Sequence, residues 1–280
     1  MKNKAVTKRE LAKFAKKLLN EEKSPLTVEK YVRDVGYFFD FALNKQIGKE
    51  LLIKYKAHLG DNYAPSSANS MISSLNSFLS YIGRSDLRIK QFKIQRRTFF
   101  NESRMLNKRE YEKLVKTAEK KNNIRLSLII QTICSTGIRV SELEFITVEA
   151  VKNGEATVKC KSKMRKIFII KELRKKLLCY CREKGITKGK VFITKTGNKI
   201  SRCNIWREMK ALCSLAGIQR SKVFPHNLRH LFARTFYEIK KDIAKLADVL
   251  GHSNVNTTRI YIISTGAEHA RIIERMHLLI

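Results

Sequence analysis

The chain runs to 280 residues, more than one small domain needs, and a mix of 43% hydrophobic and 30% charged residues supplies enough apolar material for a core. Fifty-eight Lys and Arg against 25 Asp and Glu leave a formal charge of +33, which calls for a polyanionic partner: nucleic acid first, an anionic membrane surface second. No apolar run approaches a membrane span, the basic start at Met1 meets no signal core, and six scattered cysteines (Cys134, Cys160, Cys179, Cys181, Cys203, Cys213) form no scaffold pattern, so the expectation is a cytoplasmic protein with reduced thiols and no membrane partner.

Residues 1–87 read as a helical module. Thr7 and Glu10 have capping-box spacing ahead of an apolar stripe at Leu11, Phe14, Leu18 and Leu19. A second helix repeats the i, i+3, i+4, i+7 pattern through Val28, Tyr31, Val35, Phe38 and Ala42. A third, shorter helix holds Leu51, Leu52, Tyr55 and Leu59. Pro65 and Ser66 open a fourth, with Ala68, Ile72, Leu75, Phe78 and Leu79 on one face. Such helices with short connections predict a compact bundle. Its polar faces, Lys30 and Arg33 among them, suit DNA as well as they suit plain solvent.

Residues 88–105 break the helical pattern. Ile89 to Arg97 alternates apolar and basic residues, which reads as an extended basic linker along a phosphate backbone, with Lys93, Arg96 and Arg97 as contacts. A short edge strand is the alternative. Residues 106–280 then form a second, mainly helical domain. Asn107 and Glu110 make another capping pair, and a buried helix over about 126–135 ends at Gly137. Ala156–Cys160 and Lys166–Ile170 read as the strands of a β-hairpin, with a cationic tip at 161–165. Helices follow near Glu172, Ser201, Pro225, Asp242 and Asn254, and a last one over 267–279.

The chemistry-bearing residues lie in this second half. Gly137 ends one helix and Ser141 is placed to cap the next, leaving Arg139 in the turn. In Pro225-His226-Asn227-Leu228-Arg229-His230, three cationic or near-cationic side chains share one helix face, an arrangement that repels itself unless something anionic sits there. Gly251 presents His252 at a helix end, and Tyr261 follows nine residues later. Taken singly, a turn arginine, a hairpin lysine such as Lys163 and one tyrosine of nine are ordinary surface or packing residues.

Taken in order, Arg139, Lys163, His226-x-x-Arg229, His252 and Tyr261 resemble the active site of the tyrosine recombinase (phage integrase) family, Xer-like and mobile-element members in particular. The local strings G-I-R-V-S-E-L, H-N-L-R-H, L-G-H and T-T-R-I-Y carry the resemblance. Ser24 to Tyr31 resembles the start of the family's SAM-like core-binding domain, so the likeness covers nearly the whole chain. The hairpin departs from the family's glycine-rich turn, and Lys163 is preferred over Lys161 and Lys166 because it stands two residues before Arg165. Tyr261 is followed by Ile262-Ile263 where the family often has Y-x-H.

The resemblance implies a mostly α fold: a SAM-like four-helix domain followed by a helical catalytic domain with a small antiparallel hairpin. It implies metal-free DNA cleavage with neither ATP nor any other cofactor. Tyr261 is then the nucleophile, Arg139 and Arg229 grip the phosphate, and Lys163 is the general acid. His226 accepts the tyrosine proton, His252 donates to the phosphate, and Glu142 and His230 orient these groups. A 3′-phosphotyrosyl intermediate and a Holliday junction follow. Two duplexes need four sites, hence a homotetramer on double-stranded DNA, with accessory proteins or a partner recombinase allowed. The last helix docks on a neighbour or on its own domain, the two standing even. The chain carries no extra N-terminal arm-binding domain of the kind some phage integrases have, which favours the simpler members.

Rival readings are separable. A zinc hydrolase using His226, His230 and His252 lacks the H-E-x-x-H base and has Arg229 on the same face. A non-catalytic, sequence-specific DNA-binding protein of the same fold has no use for Tyr261. A type IB topoisomerase shares the chemistry, but the short chain and core-binding-like module favour recombination.

Overall fold

The computed structural model describes residues 8–43, 45–94, 104–160, 163–194, 196–261 and 273–276. Contacts divide the chain into two compact units, Met1–Arg96 and Arg97–Ile280.

The first unit is built from α1 (Lys8–Asn20), α2 (Pro25–Ala42), α3 (Lys49–Asn62) and α4 (Pro65–Tyr81). Ser24 caps α2 by accepting from the Thr27 amide, and proline occupies the first turn of both α2 and α4, where its missing N–H costs nothing. The apolar stripes pack as two layers. Phe14 and Leu18 meet Val35 and Phe78, while Phe38, Tyr55 and Leu59 meet Ile72 and Leu75. Each fully buried side chain of this size contributes about 1.5–3 kcal/mol. Leu19 departs from expectation: it is exposed, because it lies about 100° around α1 from Leu18 and faces away from α2. Thr7, the expected cap of α1, lies outside the described residues.

After a 3₁₀ turn over Ser85–Leu87, residues 88–94 are extended but pair with no strand. They are fastened to their own bundle. Asn76 both accepts from the Ile89 amide (3.0 Å) and donates to its carbonyl (2.9 Å), and Asn69 does the same at Phe92 (2.7 and 2.9 Å). Ile89 is buried. The start of the expected linker is therefore a strap on the first unit, since a half-apolar segment gains more from packing than from solvent.

The second unit comprises α5 (Lys108–Lys120), α6 (Ile124–Thr136), α7 (Val148–Asn153), β1 (Glu155–Cys160), β2 (Lys163–Phe168), α8 (Lys171–Glu183), α9 (Arg202–Ala216), α10 (Pro225–Lys240), α11 (Ile243–Leu250) and α12 (Val255–Arg259). Asn107 and Glu110 form the reciprocal capping box at the start of α5. The core lies around α6, with Ile129, Ile130 and Ile133 packed among Leu114, Val148, Leu177 and Met209. The described cysteine side chains, Cys134, Cys179, Cys181, Cys203 and Cys213, are free thiols.

The hairpin is tighter than expected. Glu155 pairs with Phe168 and Cys160 with Lys163, so Lys163, Met164 and Arg165 belong to β2 rather than to the tip. Ala156, Val158, Ile167 and Ile169 face the core. Of the expected last helix only residues 273–276 are described, so how that segment docks lies outside them. No described helix is long and apolar enough to cross a membrane.

Candidate active site

Gly137 ends α6 in the left-handed conformation (φ 66°), and a Cβ there would stand 2.4 Å from the Phe232 ring. Only glycine lets the end of α6 approach α10 this closely. The chain then turns through a 3₁₀ segment, Val140–Phe145, with Arg139 at its N-cap. The cap is not Ser141 as expected. Glu142 reaches back and accepts from the Arg139 amide at 2.7 Å, which the tighter 3₁₀ turn brings within reach.

That carboxylate, 3% exposed, organises two guanidiniums. Its Oε1 accepts from Arg139 Nη1 at 2.9 Å and its Oε2 from Arg165 Nη2 at 2.6 Å. Arg139 keeps its outer part open to solvent, with 36% of the side chain exposed. Arg165 is mostly buried and also donates to the carbonyl of Leu250, tying the hairpin to the end of α11. Gly251 (φ 66°) makes room for this, because a Cβ there would fall 2.6 Å from Arg165 Nη1.

Pro225 opens α10, and His226, Arg229 and His230 share a face as expected. Arg229 is the largest fully buried side chain among the described residues. Its Nη1 donates to the carbonyl of Gly137 (2.5 Å), and its Nη2 to that of Leu250 (2.8 Å) and to His252 Nε2 (3.1 Å). Among the described residues no carboxylate pairs with Arg229, and its Nε has no acceptor. Burial pulls its pKa below the usual guanidinium value, the neighbouring Tyr261 opposing.

Tyr261 is 3% exposed and packs into a small cluster with Ala233, Leu246 and Leu250. Three imidazoles surround its ring. His230 meets it edge-on at 4.4 Å between centroids, His252 stacks nearly parallel at 5.8 Å, and His226 lies at 6.0 Å. His252 Nδ1 is hydrogen-bonded to Thr258 Oγ1 at 2.9 Å. All three imidazoles are held toward the neutral form. Burial lowers the pKa of His230 to about 4, with His226, Arg229 and Arg234 adding to it. For His252 it is again about 4, from burial and then Arg229, Arg139, Arg165 and His226. His226 keeps part of its surface in solvent, yet the protein crowded around its ring, then Arg229 and Arg139, lower its pKa as well. Among the described residues no three His, Cys, Asp or Glu side chains are placed to share a metal ion.

The structure thus gathers Arg139, Glu142, His226, Arg229, His230, His252 and Tyr261 into one cluster. Lys163 is the first residue of β2, and its side chain lies outside the described atoms. In the first unit Lys30 is engaged internally, with the buried Asp34 and with Ser74 Oγ at 3.4 Å. Arg33 and Lys93 are exposed, while Arg96 and Arg97 fall outside the described residues. Sequence reasoning used Arg165 only as a marker for Lys163 and passed over Thr258. The signal for Arg165 was its parity with Ile167 and Ile169, which puts an arginine on the inward face of a strand.

Comparisons with known proteins bear on the family of the chain. The phage integrase family matches residues 104–268, and the phage integrase N-terminal SAM-like domain matches residues 11–85. Tyrosine recombinase XerA of Pyrococcus furiosus is 29% identical over 100% of this chain and 98% of its own length. Tyrosine recombinase XerH of Campylobacter jejuni is 30% identical over 80% of this chain and 69% of its own. Among solved structures, XerH bound to its difH substrate in a pre-cleavage complex superposes with a TM-score of 0.69 at 22% identity, covering 96% of this chain and 85% of that one. A lambda integrase tetramer on a Holliday junction gives 0.73 at 18% identity, covering 90% of this chain and 76% of that one. At such identities these two likenesses establish the fold alone.

Proposed function

The chain belongs to the phage integrase family of tyrosine recombinases, and from that premise we propose that it cuts and rejoins double-stranded DNA at specific sites, in the cytoplasm, through a covalent link to Tyr261. One observation carries the assignment of roles. A buried arginine, Arg229, neighbours a buried tyrosine, Tyr261, and among the described residues has no carboxylate to balance it. A buried, uncompensated guanidinium is costly, so the site is complete only when an anion arrives, and a DNA phosphate is the anion that a chain of +33 attracts.

In this reading Arg139 and Arg229 bind the non-bridging oxygens of the scissile phosphate. Guanidinium stays charged and offers a planar fork of donors as negative charge grows toward the pentacovalent state. Each such donor is worth about 3 kcal/mol by analogy with oxyanion holes. Glu142 does not touch the phosphate; it fixes Arg139 through two hydrogen bonds and keeps the guanidinium on the open side. The Tyr261 oxygen attacks phosphorus while His226, neutral at pH 7, takes its proton. The P–O5′ bond breaks, and the departing 5′ oxygen takes a proton from Lys163. His252 donates to a phosphate oxygen, and His230 braces the tyrosine ring edge-on.

The product is a 3′-phosphotyrosyl strand and a free 5′ hydroxyl, so bond energy is retained and no ATP or metal enters the balance. A 5′ hydroxyl from a second duplex reverses the chemistry and makes a Holliday junction. Four chains on two synapsed duplexes supply the four sites, as a lambda integrase tetramer sits on such a junction. Residues 1–87 serve as core-binding domain, 88–105 as a linker and 106–280 as the catalytic domain, with Arg33 and Lys93 offered to the backbone. The test is strand exchange between two duplexes carrying a sequence selected for binding from randomised DNA. Recombinants and junctions from the unsubstituted chain, and none from Arg229→Ala, are the expected result. Cleavage products that need an added divalent ion would overturn it.

A further inference from the structure

We infer that Thr258 is a positioning residue for the reaction: its hydroxyl holds the proton of His252 on Nδ1 in the resting site and reverses its own hydrogen bond when DNA binds. The inference deepens the reading above, in which His252 donates to the phosphate. Thr258 is fully buried on α12, three residues before Tyr261, whose amide donates to the Thr258 carbonyl at 3.0 Å. Its hydroxyl oxygen is 2.9 Å from His252 Nδ1. The other ring nitrogen, Nε2, faces Arg229 Nη2 at 3.1 Å.

The donor inventory fixes the proton. A guanidinium has only N–H donors and no acceptor, so Nε2 must offer its lone pair. A doubly protonated ring would set N–H against N–H, and the charges facing His252, namely Arg229, Arg139, Arg165 and the His226 ring, oppose it further. The Tyr261 ring stacked on its face supplies no countercharge. The ring is therefore neutral with its proton on Nδ1, and Thr258 Oγ1 accepts.

In that state His252 has no hydrogen to give a phosphate from Nε2. Once a phosphate draws Arg229 Nη2 onto its own oxygens, Nε2 loses its donor and meets an acceptor instead. The ring then releases the Nδ1 proton to solvent and takes one on Nε2, with no net change of charge. The bare Nδ1 needs a donor, and the Thr258 hydroxyl turns to give one. Only a hydroxyl can accept in the first state and donate in the second; serine keeps that property, and valine, of nearly the same shape, loses it. A threonine that merely fills space would not care which nitrogen is protonated.

The tautomer is read directly, without DNA, from long-range ¹H–¹⁵N spectra of the full chain labelled at histidine, with His252→Gln to assign the signals. The expected resting ring carries its proton on Nδ1; Thr258→Ser keeps both that proton and its hydrogen-bonded chemical shift, and Thr258→Val, with no acceptor at Nδ1, loses the hydrogen-bonded shift. The same proteins are then mixed with a nicked suicide duplex bearing the selected sequence. Covalent adduct should form about tenfold more slowly in Thr258→Val, a lost buried hydrogen bond, and within about twofold of normal in Thr258→Ser. A resting ring protonated on Nε2, or a folded Thr258→Val protein that cleaves at the normal rate, overturns the inference and leaves the recombinase reading intact. No adduct from the unsubstituted chain overturns that reading, and this one with it, whatever the spectra show. If Thr258→Val does not fold, the resting tautomer of the unsubstituted chain and the serine variant still decide.

Discussion

Glu142→Gln isolates the claim that one buried carboxylate holds the phosphate-binding side of the site in place. The side chain accepts from the Arg139 amide, from Arg139 Nη1 and from Arg165 Nη2, at 2.7, 2.9 and 2.6 Å. Glutamine matches it in shape but turns an NH₂ toward one of the guanidiniums and removes the charge from both. Losing one partner of a buried pair costs about 3–5 kcal/mol. Arg139 keeps about a third of its side chain in water, so part of its charge is resolvated and the cost falls below that range, to about 2–3 kcal/mol. The variant should therefore unfold at distinctly lower denaturant, followed by the fluorescence of Trp206 in the second unit. Its cleavage rate, measured where it is still folded, should fall at least tenfold, because a freed Arg139 no longer points at the phosphate. Saturating DNA should restore much of the lost stability, since the phosphate supplies the missing negative charge. A variant that unfolds where the parent does and cleaves as fast would refute the idea that Glu142 positions Arg139.

Acid should loosen the second unit through its buried histidines. His230 and His252 sit at about 4, against about 6.5 in an unfolded chain, so the unfolded state binds more protons between those values. Their stabilising contribution is complete above pH 6.5 and is lost as pH falls toward 4; His230, nearly buried, accounts for up to about 3 kcal/mol and the more open His252 for less. Denaturant titrations at stepped pH should show this fall, and His230→Asn should flatten it. Gly137→Ala forces a Cβ into the Phe232 ring in a left-handed backbone, which should cost about 2–4 kcal/mol in the same unfolding assay and displace the carbonyl that Arg229 uses. Asn76→Ala removes both hydrogen bonds to Ile89, so hydrogen exchange at that amide should speed up about tenfold or more while exchange in α3 stays unchanged.

Much of this was legible in the sequence because it rests on short-range rules. Helix stripes, the Asn107–Glu110 capping box, the prolines opening α2, α4 and α10, and the glycines ending α6 and α11 all follow from local backbone chemistry. The order of the site residues was readable for the same reason, each standing at a helix end, in a turn or on one helix face. What escaped the sequence depends on contacts between distant segments. The bond from Arg165 to Leu250 spans 85 residues, and the asparagine rungs that turn residues 88–94 into a strap join α4 to chain beyond it. The hairpin register was misjudged by the width of its turn, since apolar alternation alone does not say how many basic residues fit in the bend. The Arg139 cap was misassigned because Ser141 is the usual capping type, while the 3₁₀ turn brought Glu142 closer. Leu19 shows the limit of counting apolar residues without their angle around the helix.

The central claim is a covalent Tyr261–phosphate bond, and it is tested most directly by trapping. The full chain is incubated in excess chelator with an end-labelled, nicked suicide duplex carrying the selected sequence, then denatured in detergent and resolved by size. A labelled, slow-migrating adduct that maps to Tyr261 and vanishes in Tyr261→Phe, with DNA binding retained, is the predicted result. An adduct that survives in Tyr261→Phe, or bound DNA that never becomes covalently attached, would contradict it.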